Sequence, residues 1–308
     1  MTGEHSYISK VIDEVEGRKL TLVSQGGGIG GGAYVVGVMK ALKQLAVLPY
    51  IERTIASSAG VPATVYPLMG KDRLAEHVWV EEVTKPGVVD IRRAMTNRPI
   101  LDIDYLVDEV LAKHPLDPEA FHKHPIEMQM SATRIDREKQ TLEHHMFTNR
   151  DPYDPLRVMK ATIAIPIVYG RTVIIEGAGE FIDGGLLRQI SFEGDIQIIT
   201  EPRNKTETTG GYGERLLMER YATNDPIEAK IHQAARARHG LYMQEYIQIL
   251  EELPRFPNKV LIQPNEHVPA ALIERNPRKV EATIKLGYDD TMKRERALYD
   301  LLEARQAA

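Results

Sequence analysis

The chain contains no cysteine. That absence excludes disulfides, thiolate metal sites and a thiol nucleophile, and it fits a reducing compartment. Long hydrophobic runs are also missing. The longest apolar stretches, 33–38 and 163–169, are far too short to cross a bilayer. Residues 1–18 mix charges of both signs and lack the apolar centre of a signal peptide, so the expected location is the cytoplasm. No basic run stands out among 39 basic and 44 acidic residues, and the net charge is −5. Nucleic acid is therefore not an expected partner, and there is no electrostatic pull toward anionic membranes. Internal repeats and low-complexity tracts are absent as well.

What remains is an ordinary globular composition: 308 residues, 43% hydrophobic and 27% charged. A chain of this length can bury a core without staples. Residues 19–24 read as a strand, 33–48 as a helix, 53–57 as a second strand, and the stretch up to 69 as a second helix. Further helices are expected at 103–113, 156–164, 228–253, 277–286 and 289–304. Further strands are expected at 126–133, 195–200 and 259–263, with a hairpin at 173–175 and 180–182. Strand–turn–helix order of this kind predicts an α/β fold with a mostly parallel sheet. The expected organisation is an N-terminal extension, 1–18, and a single domain, 19–308. Its core would span about 20–200 and a C-terminal helical part about 215–305. The polar, glycine-rich segment 201–214 reads as a surface loop, or as a lid over a site.

Three short segments carry chemistry. In Gly26-Gly27-Gly28-Ile29-Gly30-Gly31-Gly32 a glycine-rich turn links a strand to a helix. Such a turn leaves backbone N–H groups unshielded at the positive end of a helix, where they suit a phosphate or a developing oxyanion. Gly26, Gly28 and Gly31 also have dinucleotide-binding spacing, but that reading wants an acidic residue after the second strand, where Ala56-Ser57-Ser58 stands. In Ala56-Ser57-Ser58-Ala59-Gly60 small residues flank a central serine, as in a G-x-S-x-G nucleophile elbow with Ala56 in the first glycine's place. The plainer reading is a serine capping a helix. In Phe181-Ile182-Asp183-Gly184-Gly185 a strand ends in a carboxylate followed by two glycines; the plainer reading is an Asp-Gly turn.

Taken together and in this order, the segments resemble the patatin-like phospholipases, which pair a glycine-rich segment, a G-x-S-x-G elbow and a late D-G-G or D-G-A motif. Here the matching residues are Gly26–Gly31, Ala56–Gly60 and Asp183–Gly185. The segments 32–42, 99–105, 161–169 and 275–290 are similar to the first helix, an inner segment, the small-residue run and the closing helices of bacterial members. The resemblance implies a three-layer α/β/α fold and hydrolysis of lipid esters by a Ser–Asp dyad without a cofactor. Ser58 would be the nucleophile and Asp183 the base. Gly26, Gly27, Gly28 and Gly30 would form the oxyanion hole, with Gly31, Ala59, Gly60, Gly184 and Gly185 supporting the turns. The substrate would be a lipid or small ester, with transient contact at a membrane surface; the oligomeric state stays open. Gly30 stands where the family usually has Arg or Lys, and Gly32 adds a residue. That departure leaves a catalytically weak or inactive lipid-binding protein as the alternative.

Other candidates carry less. His122/His124 and His144/His145 lack the acidic neighbours of a metal set, and no metal is expected. Trp79 is expected to pack a helix onto the core. Arg236-Ala237-Arg238-His239 reads as a solvated helix face.

Overall fold

The computed structural model describes residues 19–96, 98–188, 191, 193–202, 225–252 and 259–304. The expected extension 1–18, residues 203–214 of the loop and residues 215–224 lie outside them.

The strands are β1 (Leu20–Ser24), β2 (Ile51–Ser57), β3 (Glu127–Asp136), β4 (Thr141–Thr148), β5 (Val173–Ile175), β6 (Gly179–Asp183), β7 (Ile196–Ile198) and β8 (Val260–Ile262). The helices used below are α1 (Gly28–Gln44), α2 (Gly60–Leu68), α3 (Asp72–His77), α4 (Pro118–His122), α5 (Pro155–Thr162), α6 (Pro166–Tyr169), α7 (Pro226–Glu252), α8 (Pro277–Met292) and α9 (Glu295–Ala304).

All eight strands join one sheet in the order β5-β6-β3-β2-β1-β7-β8, with β4 beside β3. The β3–β2–β1–β7–β8 part is parallel, while β4, β5 and β6 are antiparallel additions. Every residue of β1 is buried, as a parallel strand covered on both faces requires. Alternation along β6 separates two layers. Phe181 enters the main core, whereas Ile182 joins Ile135, Leu186, Ile227 and Ile231 beneath α7. The fold is therefore α/β, a mostly parallel sheet flanked by helices.

One pairing decides where the chemistry sits. Strand β3 is long enough to serve β2 with its first half and β6 with its second. Ser57 at the end of β2 pairs with Ser131, and Asp183 at the end of β6 pairs with Ala132. Two strand ends from distant parts of the chain thus arrive at consecutive residues of β3.

The helix expected at 103–113 is a π-helical turn, Tyr105–Val110, followed by a 3-10 turn, Leu111–Lys113. Two of the other expected helices differ through glycine. Helix α1 starts at Gly28 rather than at residue 33, because the N–H groups of Ile29 and Gly30 are capped by the carbonyls of Leu272 and Ala271, both at 3.0 Å. Helix α8 runs unbroken through Gly287, where the sequence reading ended one helix at 286 and began another at 289. A Cβ at Gly287 would collide with the backbone of Tyr34, and one at Gly37 of α1 with the backbone of Ile284. These glycines let α1 and α8 approach closely, so they serve packing rather than helix termination. Strand β4 was not foreseen, because its residues 141–148 are polar and only half buried. No helix among the described residues is long and apolar enough to cross a membrane.

Candidate active site

Strand β2 ends at Ser57 and α2 begins at Gly60, so the chain reverses within two residues. Ser58 at the apex has φ +51°, a left-handed conformation that costs an L-residue about 1–2 kcal/mol. Packing holds it there. A Cβ on Gly60 would lie 2.8 Å from the carbonyl oxygen of Gln25, so α2 can cross β1 only with glycine at that position. Gly26 lies against Ser58 itself, since a Cβ there would run into Ser58 Cβ and sit 2.8 Å from the Ser57 carbonyl oxygen. Ala56 needs no glycine; it is buried within β2, between Ser24 and Met130.

Asp183 ends β6 and is buried, as is Ser58. Ser58 Oγ donates to Asp183 Oδ2 at 2.5 Å. The other carboxylate oxygen accepts the Gly185 N–H at 2.7 Å, which fixes the rotamer and turns Oδ2 toward the serine. The Asp183 backbone is held as well: its carbonyl accepts Thr133 Oγ1 at 2.9 Å and its N–H donates to Ala164. Gly184 is pressed against β3, where a Cβ would collide with the Ser131 backbone. The segment 161–169 thus braces the carboxylate from one side and β3 from the other.

The glycine-rich turn is equally fixed. Gln25 takes the Thr200 N–H on its side chain at 2.9 Å, and Thr200 Oγ1 donates to the Gly26 carbonyl at 2.5 Å. Gly27 and Gly28 have φ +122° and +62°. Among the described residues the N–H groups of Gly27, Gly28 and Ala59 carry no hydrogen bond. The expectation for Gly30 needs correction: its N–H donates to the Ala271 carbonyl and is not available for an oxyanion. The two sequence departures now have a physical cause. A Cβ at Gly30 would strike the Ala270 carbonyl, and one at Gly32 would enter the indole of Trp79. Trp79 donates Nε1–H to the Ile29 carbonyl at 3.2 Å, so it binds the turn as well as packing on it.

From Ser58 and Gly28 a cavity of about 660 Å³, counting its mouth, runs along α2. Its walls are almost wholly apolar and include Pro62, Trp79, Leu106, Leu111 and Ile163. Sequence reading missed this wall. The spacing of Ala59, Pro62 and Tyr66 along one helical face is the signal that was there to be used.

The histidines are engaged elsewhere. His122 Nδ1 lies 3.0 Å from the Asn149 carbonyl, His144 Nε2 lies 3.0 Å from Ser131 Oγ, and His145 stacks edge-on against Phe147. No group of three potential metal ligands occurs among the described residues. Arg236 and Ala237 are exposed on α7.

A family model described as patatin-like phospholipase matches residues 22–194, more than half of the chain. The chain belongs to the patatin-like phospholipase family. That match spans the glycine turn, the Ser58 elbow and Asp183, and the family is generally one of lipid acyl hydrolases. Among solved structures, VipD from Legionella pneumophila aligns with a TM-score of 0.52 at 13% identity, covering 94% of this chain and 68% of VipD. At that identity the likeness speaks for the fold. A search of curated proteins finds no match.

Proposed function

We propose that this patatin-like protein is a serine hydrolase of carboxylic lipid esters, of the phospholipase A or lysophospholipase type, working through a Ser58–Asp183 dyad. The observation that carries the reading is the 2.5 Å hydrogen bond from Ser58 Oγ to Asp183 Oδ2 in a buried site. No histidine stands between them. As Ser58 Oγ attacks the ester carbonyl, its proton passes to Asp183. The tetrahedral oxyanion takes hydrogen bonds from the free N–H groups of Gly27, Gly28 and Ala59, with the positive end of α2 behind Ala59. One such donor is worth about 3 kcal/mol of barrier in other hydrolases. Collapse expels the alcohol, which leaves with the proton held by Asp183. Water then attacks the acyl-enzyme, Asp183 accepts its proton, and release of the acid returns that proton to Ser58.

The apolar cavity beginning at Ser58 supports an acyl chain as the group bound beside the nucleophile. Two rival readings fare worse. A dinucleotide would need the first N–H groups of α1, and those of Ile29 and Gly30 are already capped by protein carbonyls. An inactive binder was suggested by Gly30, but that glycine answers to the Ala270 backbone rather than to a lost catalytic group.

Hydrolysis of p-nitrophenyl esters of rising chain length, followed by lysophospholipid and phospholipid, tests the proposal. Wild type and Ser57→Ala should turn over, and Ser58→Ala and Asp183→Asn should fall to background. A folded wild type without activity on any of these esters would favour the binder.

A further inference from the structure

Tyr66 is the exception in the cavity wall. It is only 2% exposed, and its hydroxyl has no hydrogen-bond partner among the described residues. Among the described residues the other buried side-chain atoms in that state are amide oxygens of Gln140, Gln197 and Gln263, none of which lines this cavity. Burial alone pushes the Tyr66 phenol well above its ordinary range, so it stays protonated at every physiological pH. A buried, unpaired hydroxyl is costly, and phenylalanine would fill the same space without that cost. The hydroxyl is sealed from the cavity, so a tyrosine here is explained if a bound chain parts the wall and brings the hydroxyl its partner.

The position of Tyr66 says where along the ligand that partner sits. Ala59, Pro62 and Tyr66 line the cavity from one face of α2. From Ala59, next to the nucleophile, to Tyr66 the helix rises about 10 Å at 1.5 Å per residue. A medium-length acyl chain esterified at Ser58 would span that distance. Resting on the acyl-hydrolase reading above, we propose that Tyr66 selects acyl chains carrying an oxygen, a hydroxyl or a keto group, in their middle or distal part. The phenol can donate to either and can accept from a hydroxyl. The cavity wall also includes Ala75, Leu106 and Leu111, which offer an oxygenated chain no competing partner.

The test compares p-nitrophenyl decanoate with decanoates bearing a hydroxyl or keto group from mid-chain to the chain end, in wild type and Tyr66→Phe. Wild type should favour the best oxygenated ester by about tenfold or more in kcat/KM, and in Tyr66→Phe the ratio should fall to near one. A ratio near one in wild type, or one unchanged by the substitution, overturns the proposal. Calorimetric titration of free decanoate and hydroxydecanoate supplies a readout that needs no turnover. Tyr66-dependent binding preference without ester cleavage would keep the selectivity and sink the hydrolase reading. Cleavage of plain esters without preference would do the reverse. Neither cleavage nor preference would overturn both.

Discussion

The glycine-rich turn divides into two halves that look alike in sequence and do different work. Gly26, Gly27 and Gly28 form the first half: Gly26 presses against Ser58, and Gly27 and Gly28 have positive φ and N–H groups that carry no hydrogen bond among the described residues, although a Cβ at Gly28 would also strike Leu272. Gly30, Gly31 and Gly32 face the rest of the protein. Each is glycine because something already fills the Cβ position: the Ala270 backbone, the Gly26 carbonyl and the Trp79 ring respectively. A run of glycines is therefore not a uniform anion cradle. Among the described residues Gly27 and Gly28, at the very start of α1, keep N–H groups without a hydrogen bond, and those of Ile29 and Gly30 are consumed by capping.

Substitutions should separate the halves. The largest effect is expected from Gly26→Ala, whose methyl must displace Ser58 from Asp183. A misplacement of about 1 Å costs on the order of 10²-fold in rate, so kcat on a p-nitrophenyl ester should drop by at least that much. Next comes Gly30→Arg, which restores the family's usual residue. It should destabilise the fold rather than raise activity, because the Ala270 backbone cannot yield as a side chain would. A melting curve checks this, and a stable, faster enzyme would break the comparison. Gly32→Ala should cost about 1–3 kcal/mol through overpacking against Trp79. It should lower the melting temperature by more than it lowers kcat per folded molecule.

The smallest effect concerns β6, the strand that delivers Asp183. Arg137 grips Glu180 with two hydrogen bonds of 2.6 and 2.7 Å and holds its carboxyl below the usual range, against burial, with help from Thr172. A carboxyl lowered in the folded state adds stability above its unfolded pKa, and that stability is lost as pH falls through the folded value. Arg137 is nearly half exposed, so screening limits the contribution to about 1 kcal/mol or less. Arg137→Ala should be less stable than wild type in urea at neutral pH, and the gap should close in acid. A gap that widens in acid would contradict this assignment.

Much of this was legible in the sequence. The strand–glycine–helix start, the Ser58 elbow and the Asp183 strand end follow from local patterns, and local patterns are what a sequence displays. The α/β class follows from their alternation. Strand β4 was hidden because residues 141–148 lack the apolar alternation of a half-buried strand. The unbroken α8 was hidden because Gly287 reads as a breaker until Tyr34 is seen against it. The capping of Ile29 and Gly30 depends on residues 271 and 272, some 240 positions away, and no local pattern announces it. The meeting of Ser58 and Asp183 depends on the register of β3, which shares its length between β2 and β6.

That meeting is the central claim, and covalent trapping tests it most directly. A fluorophosphonate reacts only with a serine whose hydroxyl is activated and whose oxyanion is held. Peptide mass mapping after labelling should find a single adduct on Ser58 in wild type and in Ser57→Ala, and none in folded Asp183→Asn. An adduct on another serine, or full labelling of Ser58 without the Asp183 carboxylate, would contradict the dyad.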